Sequence, residues 1–291
     1  MKRLYIKIEK KYRDAELERL LEELRTEGIE VCQLSGTQLE EQGRASVPGG
    51  SRPAENWSKL PGNGEEALIL TDSQVTADRA AAQGIACVGY EPPGAEMTLS
   101  HVDMVIQGFE ELNTEFFRLV YRRHHGLPWT IAETERLWIR ESIPEDFDIL
   151  YAIYQEPGMT EYMPGMEGEK EEERELFTAY IRKMYPFFSY GLWTVIEKAG
   201  GKIIGRAGLE NGTYRGKPVL ELGYMIAGAY QKQGYGLEAV KAVADYACSA
   251  IGADNLYAFI HRKNIASRSL IQKAGFQEVE AERKEILVFH L

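Results

Sequence analysis

Between residues 220 and 247 the chain reads LELGYMIAGAYQKQGYGLEAVKAVADYA: an apolar run, a turn made of Gln231, Lys232, Gln233, Gly234, Tyr235 and Gly236, and a helical pattern that starts at once. A helix N-terminus presents unpaired N–H groups and the positive end of the helix dipole. A glycine-rich turn entering a helix is therefore a natural seat for a phosphate or pyrophosphate. Gly234 and Gly236 would let an anion approach the backbone with no Cβ in the way, and Lys232 would add charge. Glycines at such a junction also serve as plain turn residues, and the spacing alone does not separate the two uses.

Such a turn needs a strand before it and a helix after it. Residues 191–226, GLWTVIEKAGGKIIGRAGLENGTYRGKPVLELGYMI, predict strands joined by Gly-rich turns, the pattern of an antiparallel meander. A helix over 237–251 follows, then the strand NLYAFI, the helix SRSLIQKAG and a terminal hairpin. Upstream lie the strand LWIRES, the helix IPEDFDILYAIYQ with Pro144 in its first turn, and the charged helix GEKEEERELFTAYIRKMY with an apolar stripe.

The first half reads differently. Strands at residues 2–8, IEVCQL, ALILTDS, IACVGYE and VDMVIQ alternate with helices at 14–25, QVTADRAAAQG and FEELNTEFFRLVYRRHHG, with a long Gly/Pro/Ser-rich loop over 42–64. This alternation implies βαβ units and a mostly parallel, three-layer, Rossmann-like domain. The expected organisation is α/β over residues 1–130 and α+β over 131–291, with the boundary near 127–136.

A chain of 291 residues with 44% apolar content suits two globular domains. Its longest apolar windows are too short for a membrane span, and MKRLYIKIEKKY lacks the apolar core of a signal peptide, so a cytoplasmic protein is expected. Cys32, Cys87 and Cys248 have neither the number nor the spacing of a disulfide framework or a zinc site, and no metal is expected. The net charge of −11 repels nucleic acid and anionic membranes and favours cationic partners.

Taken in order, ELGYMI, QKQGYG, NIASRSL and KAGF make residues 137–290 resemble the GNAT superfamily of acyl-CoA-dependent N-acyltransferases, in particular the branch that includes the N-terminal acetyltransferases of ribosomal proteins. The resemblance implies a splayed central sheet and acetyl-CoA as cosubstrate. The turn at 231–236 would hold the coenzyme A pyrophosphate, and Met225, Ile226 and Ala227 would offer backbone to the pantetheine amides. An N–H near Met225 or Ile226 would stabilise the oxyanion. Asn264 matches the family's asparagine near the reacting end, though it also suits a helix cap. The amine would attack the thioester directly in a ternary complex, with Glu221 or Glu210 as base. Both carboxylates also suit a strand end in solvent. Many relatives protonate the leaving thiolate with a tyrosine on the last helix; none stands there, which leaves Ser267 or a water. His261, after NLYAFI, is an alternative acid or base, or a surface residue.

The family builds its acceptor pocket from the first two helices, here about residues 144–185. EGEKEEERE is either the solvated start of a helix or an acidic rim for a cationic acceptor, and Tyr162, Met163 and Trp193 line the pocket or belong to the core. The acceptor would be a small-molecule amine or a peptide N-terminus. The first half resembles the later part of a haloacid dehalogenase-like (HAD) phosphatase, with Asp72 at the acidic position after a strand. The family's aspartate nucleophile is missing, since YIKIEKKYRD stands in its place. A non-catalytic module for docking, homodimerisation or small-ligand binding is expected. The alternative for the whole chain is an acyl-CoA sensor that binds without turnover.

Overall fold

The computed structural model describes residues 1–34, 64–95 and 98–291. The loop expected over 42–64 lies outside them except for its last residue, which opens a short 3-10 turn, Gly64–Glu66. The chain divides into two compact units, Met1–Leu127 and Pro128–Leu291.

The first unit contains β1 (Arg3–Lys7), α1 (Ala15–Thr26), β2 (Glu30–Gln33), β3 (Ala67–Thr71), α2 (Gln74–Ala82), β4 (Ala86–Tyr90), β5 (Met104–Ile106) and α3 (Thr114–His124). All its strands run parallel, in the order β2-β1-β3-β4-β5. β3 and β4 are buried at every residue, as continuous apolar strands covered on both faces must be. α1 and α3 bury Leu17, Leu20, Leu21, Leu24, Phe117 and Val120 against Leu4, Ile6, Leu68 and Leu70. α2 sets Ala77 and Ala80 on the other face, against Tyr5, Ile69 and Cys87. The helix expected from residue 109 starts later because Asn113 caps it, its Oδ1 accepting from the Phe116 N–H at 3.0 Å. Asp72 follows β3, and its Oδ2 accepts from the Glu9 N–H at 2.7 Å.

The second unit runs β6 (Thr130–Glu133), β7 (Leu137–Arg140), α4 (Phe147–Tyr154), α5 (Lys170–Phe188), β8 (Leu192–Glu197), β9 (Lys202–Tyr214), β10 (Lys217–Ile226), α6 (Tyr235–Ser249), β11 (Leu256–His261), α7 (Ile265–Lys273), β12 (Gln277–Arg283) and β13 (Ile286–His290). They form one eight-stranded sheet in the order β12-β13-β11-β10-β9-β8-β7-β6. The patterning did not predict β6, which pairs with β7 through an irregular register. Neighbours are antiparallel except β10 and β11, which are parallel and pair only at Leu220↔Leu256 and Glu221↔Tyr257. Past Glu221 the two strands separate, as a splayed sheet requires.

The two-residue period of the strands sorts the side chains. Trp193, Ala207, Leu209 and Leu222 face α6, where Ala239, Val240, Val243 and Ala247 close the core. Met225 faces Phe147, Leu150, Ile153 and Phe177 of α4 and α5 on the opposite side. A buried polar network fixes that second layer. Asp146 accepts both Nη atoms of Arg140 at 2.7 Å and the Thr194 hydroxyl at 2.8 Å, while the Tyr185 hydroxyl donates to the Leu192 carbonyl at 2.7 Å. An ion pair this enclosed is tolerated only with its remaining lone pairs satisfied, which Thr194 and the Ile143 N–H do.

Candidate active site

The entry to α6 is built as an open nest of donors. Lys232 and Gly234 lie in the left-handed region, with φ of 58° and 86°, so the chain turns sharply before the helix begins. The amide N–H groups of residues 232–237 have no protein acceptor among the described residues. A Cβ on Gly236 would come within 2.9 Å of Leu270 Cδ1, and one on Gly234 within 3.2 Å of Arg136 Nη2. Free donors, the helix dipole and bare backbone fit a pyrophosphate.

Side chains around the nest serve mainly to hold it. Gln231 Nε2 donates to the Ile226 carbonyl at 2.9 Å, and Gln233 Nε2 to the Ala229 carbonyl at 2.7 Å. Arg136 Nη1 donates to the Gln233 carbonyl at 3.0 Å, while Nε and Nη2 pair with Glu238 at 2.7 Å and the guanidinium lies over the Tyr235 ring at 4.4 Å. Sequence reasoning missed Arg136, because nothing in its neighbourhood shows that the β6–β7 turn reaches α6. Glu156 joins from the α4–α5 loop, accepting from the Gly228 N–H at 2.6 Å. Gln231, Lys232, Gly234 and Gly236 border the adjoining cavity; Gln233 and Tyr235 do not.

That cavity, of about 760 Å³, runs from the nest past Met225 and Ile226 to Asn264, Ser267 and Leu270. A smaller chamber of about 200 Å³ is bordered by Arg206, Glu210, Glu221 and His261. Met159, Tyr162, Met163, Tyr224, Met225, Asn264 and Ser267 border both, so the two spaces meet there. Ala227 departs from its expected place: it borders neither cavity, and its N–H already donates to the Ile204 carbonyl at 2.8 Å. Asn264 caps α7, its Oδ1 accepting from the Ser267 N–H at 3.0 Å, while still facing the cleft. The Ser267 hydroxyl lies 2.6 Å from that of Tyr224. Burial pushes the Tyr224 phenol up to about 12, which keeps it protonated. Tyr224 escaped the sequence reading because its partner is 43 residues away.

Register also creates the pair of carboxylates. Glu221 of β10 stands directly opposite Glu210 of β9, on the face that carries α4 and α5. Burial, and after it the Glu210 charge, push the Glu221 carboxyl from 4.5 up to about 7. Burial raises Glu210 as well, with the Arg206 charge opposing the rise. A carboxylate poised near neutral pH beside an open chamber can take a proton from an ammonium group.

The remaining candidates separate cleanly. Tyr162 and His261 stack at the chamber wall, with ring centroids 5.0 Å apart, so His261 belongs to the cleft rather than to open surface. Trp193 points the other way; it is fully buried and packs edge-on against Tyr246 under α6. The acidic run EGEKEEERE borders neither cavity. Glu173 accepts from the Gly168 N–H at 2.8 Å, and Lys170 and Arg174 pair with Asp148, as at a solvated helix start.

Residues 136–277 match the family model of the acetyltransferase (GNAT) domain. The chain is similar to the uncharacterised protein YkkB of Bacillus subtilis, 26% identical over 152 residues, or 52% of this chain and 87% of that one. It is also 26% identical over 149 residues to the uncharacterised N-acetyltransferase YoaA of the same organism, covering 51% of this chain and 83% of the relative. A solved putative ribosomal-protein-serine acetyltransferase from Vibrio cholerae is similar at 20% identity, with a TM-score of 0.46 over 56% of this chain and 97% of that one. The C-terminal unit thus carries a GNAT acetyltransferase domain, of a family that transfers acyl groups from acetyl-CoA to amines.

Proposed function

We propose that the second unit transfers an acetyl group from acetyl-CoA to a primary amine by direct attack, and that the first unit takes no part in the chemistry. The acceptor is a small-molecule amine or a peptide N-terminus. The observation that carries this reading is the Glu221–Glu210 pair, facing a chamber continuous with the anion nest of α6.

In this reading the nest at residues 232–237 binds the pyrophosphate. The edge of β10 past Glu221, no longer paired with β11, offers backbone to the pantetheine arm at Met225 and Ile226. An N–H there stabilises the oxyanion. The cosubstrate supplies a thioester carbonyl and a thiolate leaving group. Glu221 takes the proton that the ammonium must lose before its nitrogen can attack, and burial, with the Glu210 charge adding to it, keeps that carboxyl basic enough to do so. As the new C–N bond forms and the C–S bond breaks, the leaving sulfur takes a proton from Ser267, whose hydroxyl is backed by Tyr224, and the second proton shed by the nitrogen restores that hydroxyl pair. The family's tyrosine is thereby replaced by one from the central strand acting through a serine.

The first unit we read as a degenerate HAD-like module. β1 ends at Lys7 and is followed by Ile8 and Glu9, with Asp72 bound to the Glu9 amide, so no aspartate stands where a phosphatase nucleophile would.

The test is titration calorimetry with coenzyme A, joined to thiol release from acetyl-CoA over a panel of amines, for wild type and Glu221→Gln. Expected are binding by both proteins and turnover by wild type, with a loss of about 10²-fold or more in the variant near pH 7. Equal turnover by both at every pH removes Glu221 from its role. Binding with no turnover of any amine leaves a sensor.

A further inference from the structure

Arg206 is an arginine where a strand core should hold something apolar. It is 6% exposed, sits on β9 opposite Met225, and has no carboxylate within ion-pair distance among the described residues. One Nη donates to the Leu192 carbonyl at 3.1 Å, the guanidinium lies 5.4 and 5.5 Å from the ring centres of Phe177 and Tyr180, and the Tyr154 hydroxyl stands beside it. Nε has no partner. A guanidinium has five donors in a planar fork, so most of this capacity is unused in a place where desolvating a cation is costly. Packing does not explain it, because a methionine would fill the site without the charge. Neither does a structural ion pair with Glu210. Arg206 and Glu210 lie four residues apart on one strand face, with Cα atoms roughly 13 Å apart at the rise of a β-strand; both border the chamber and no ion pair joins them among the described residues, although the Arg206 charge still opposes the rise that burial gives the Glu210 carboxyl.

The chamber between them is small. At about 200 Å³ it holds roughly six or seven waters' worth of space. Its walls are acidic at the Glu210–Glu221 end and cationic at the Arg206 end. A ligand matching both would be a small zwitterion, with its amine toward Glu221 and an anionic, planar, two-oxygen group toward the guanidinium fork.

We infer that the acceptor of this enzyme is a small primary amine that also carries a carboxylate, an amino acid or close derivative, and that Arg206 receives the carboxylate. The inference rests on the acetyltransferase reading and narrows its substrate class. It sets aside the cationic acceptor suggested by the acidic segment at 167–175, which lies away from the chamber.

The experiment uses the full chain, acetyl-CoA and thiol release, with matched acceptors that differ only in the carboxylate: glycine, β-alanine and γ-aminobutyrate, each against its amide, beside amines and peptides that lack the group. An amide's amine is less basic than that of the acid, which biases the comparison against the inference. Expected is a preference of at least about tenfold in kcat/KM for the acid at one or more spacings, expressed mainly in KM. In Arg206→Met the acid-to-amide ratio falls to near one, and in Arg206→Lys, which keeps the charge and loses the fork, it falls part of the way. The wild-type comparison stands even if a variant fails to fold. Equal use of acids and amides, turnover only of amines without a carboxylate, or a preference that survives in folded Arg206→Met overturns the inference and leaves the acetyltransferase intact. Loss of coenzyme A binding, or binding without turnover of any acceptor, overturns both.

Discussion

Replacing Glu221 with glutamine should make the protein more stable while making it a poorer catalyst, and the gain should depend on pH. Folding raises the Glu221 carboxyl from 4.5 to about 7, through burial first and the facing Glu210 charge second. A carboxyl raised in the folded state contributes stability that is fully present below 4.5 and is lost as pH climbs through about 7. The full displacement corresponds to about 3 kcal/mol; water still reaches part of the side chain, which brings the expected figure to about 2 kcal/mol. Glutamine has the same shape and no charge to bury. Glu221→Gln should therefore be more stable than wild type by about 2 kcal/mol at pH 8 and nearly equal to it close to pH 4.5. Urea unfolding at the two pH values measures this, followed by tryptophan fluorescence, because three of the four tryptophans, Trp129, Trp138 and Trp193, lie in the second unit. An unchanged midpoint at pH 8, or the same shift at both pH values, would show that the carboxylate is not held at a cost and would sink the argument for a poised base. Opposite signs in stability and rate are what a site shaped for chemistry produces.

Glu210→Gln removes the smaller of the two causes that raise Glu221, so the acid limb of kcat/KM should move down by about one pH unit, less than half the way from about 7 to 4.5; a limb that stays put contradicts the coupling. Gly236→Val puts side-chain atoms where a Cβ alone comes within 2.9 Å of Leu270, at the mouth of the nest, and should weaken coenzyme A at least about tenfold by calorimetry. Tyr224→Phe leaves the Ser267 hydroxyl without its partner and should lower kcat about ten- to a hundredfold with little change in the KM for acetyl-CoA; a change confined to KM would reassign Tyr224 to binding.

Features that depend on local sequence were readable in advance. The strand, turn and helix around residues 220–247 follow from an apolar run, glycines and a helical period, and the structure forms each of them. Long-range register was not readable. Glu210 and Glu221 face one another because the hairpin between β9 and β10 closes at residues 214–217, and a shift of one residue would send Glu221 to the α6 side. The same two-residue rule decides Trp193, whose type suited either the pocket or the core and whose parity put it under α6. Arg206 was invisible for a different reason: an arginine in a strand reads as exposed, and only the layer formed by α4 and α5 buries it. β6 was missed because four residues with an irregular register leave almost no period to detect.

The bond from Gln231 to the Ile226 carbonyl makes the nest and the end of β10 one rigid piece. On the proposed assignment, the contacts made by that piece are to the nucleotide and the pantetheine arm, which the spent thiol carries unchanged. Only a two-carbon group distinguishes the incoming carrier from the outgoing one. The enzyme should therefore be inhibited by its own free coenzyme A, competitively with acetyl-CoA, and carrier departure rather than bond making is the step expected to set the turnover number.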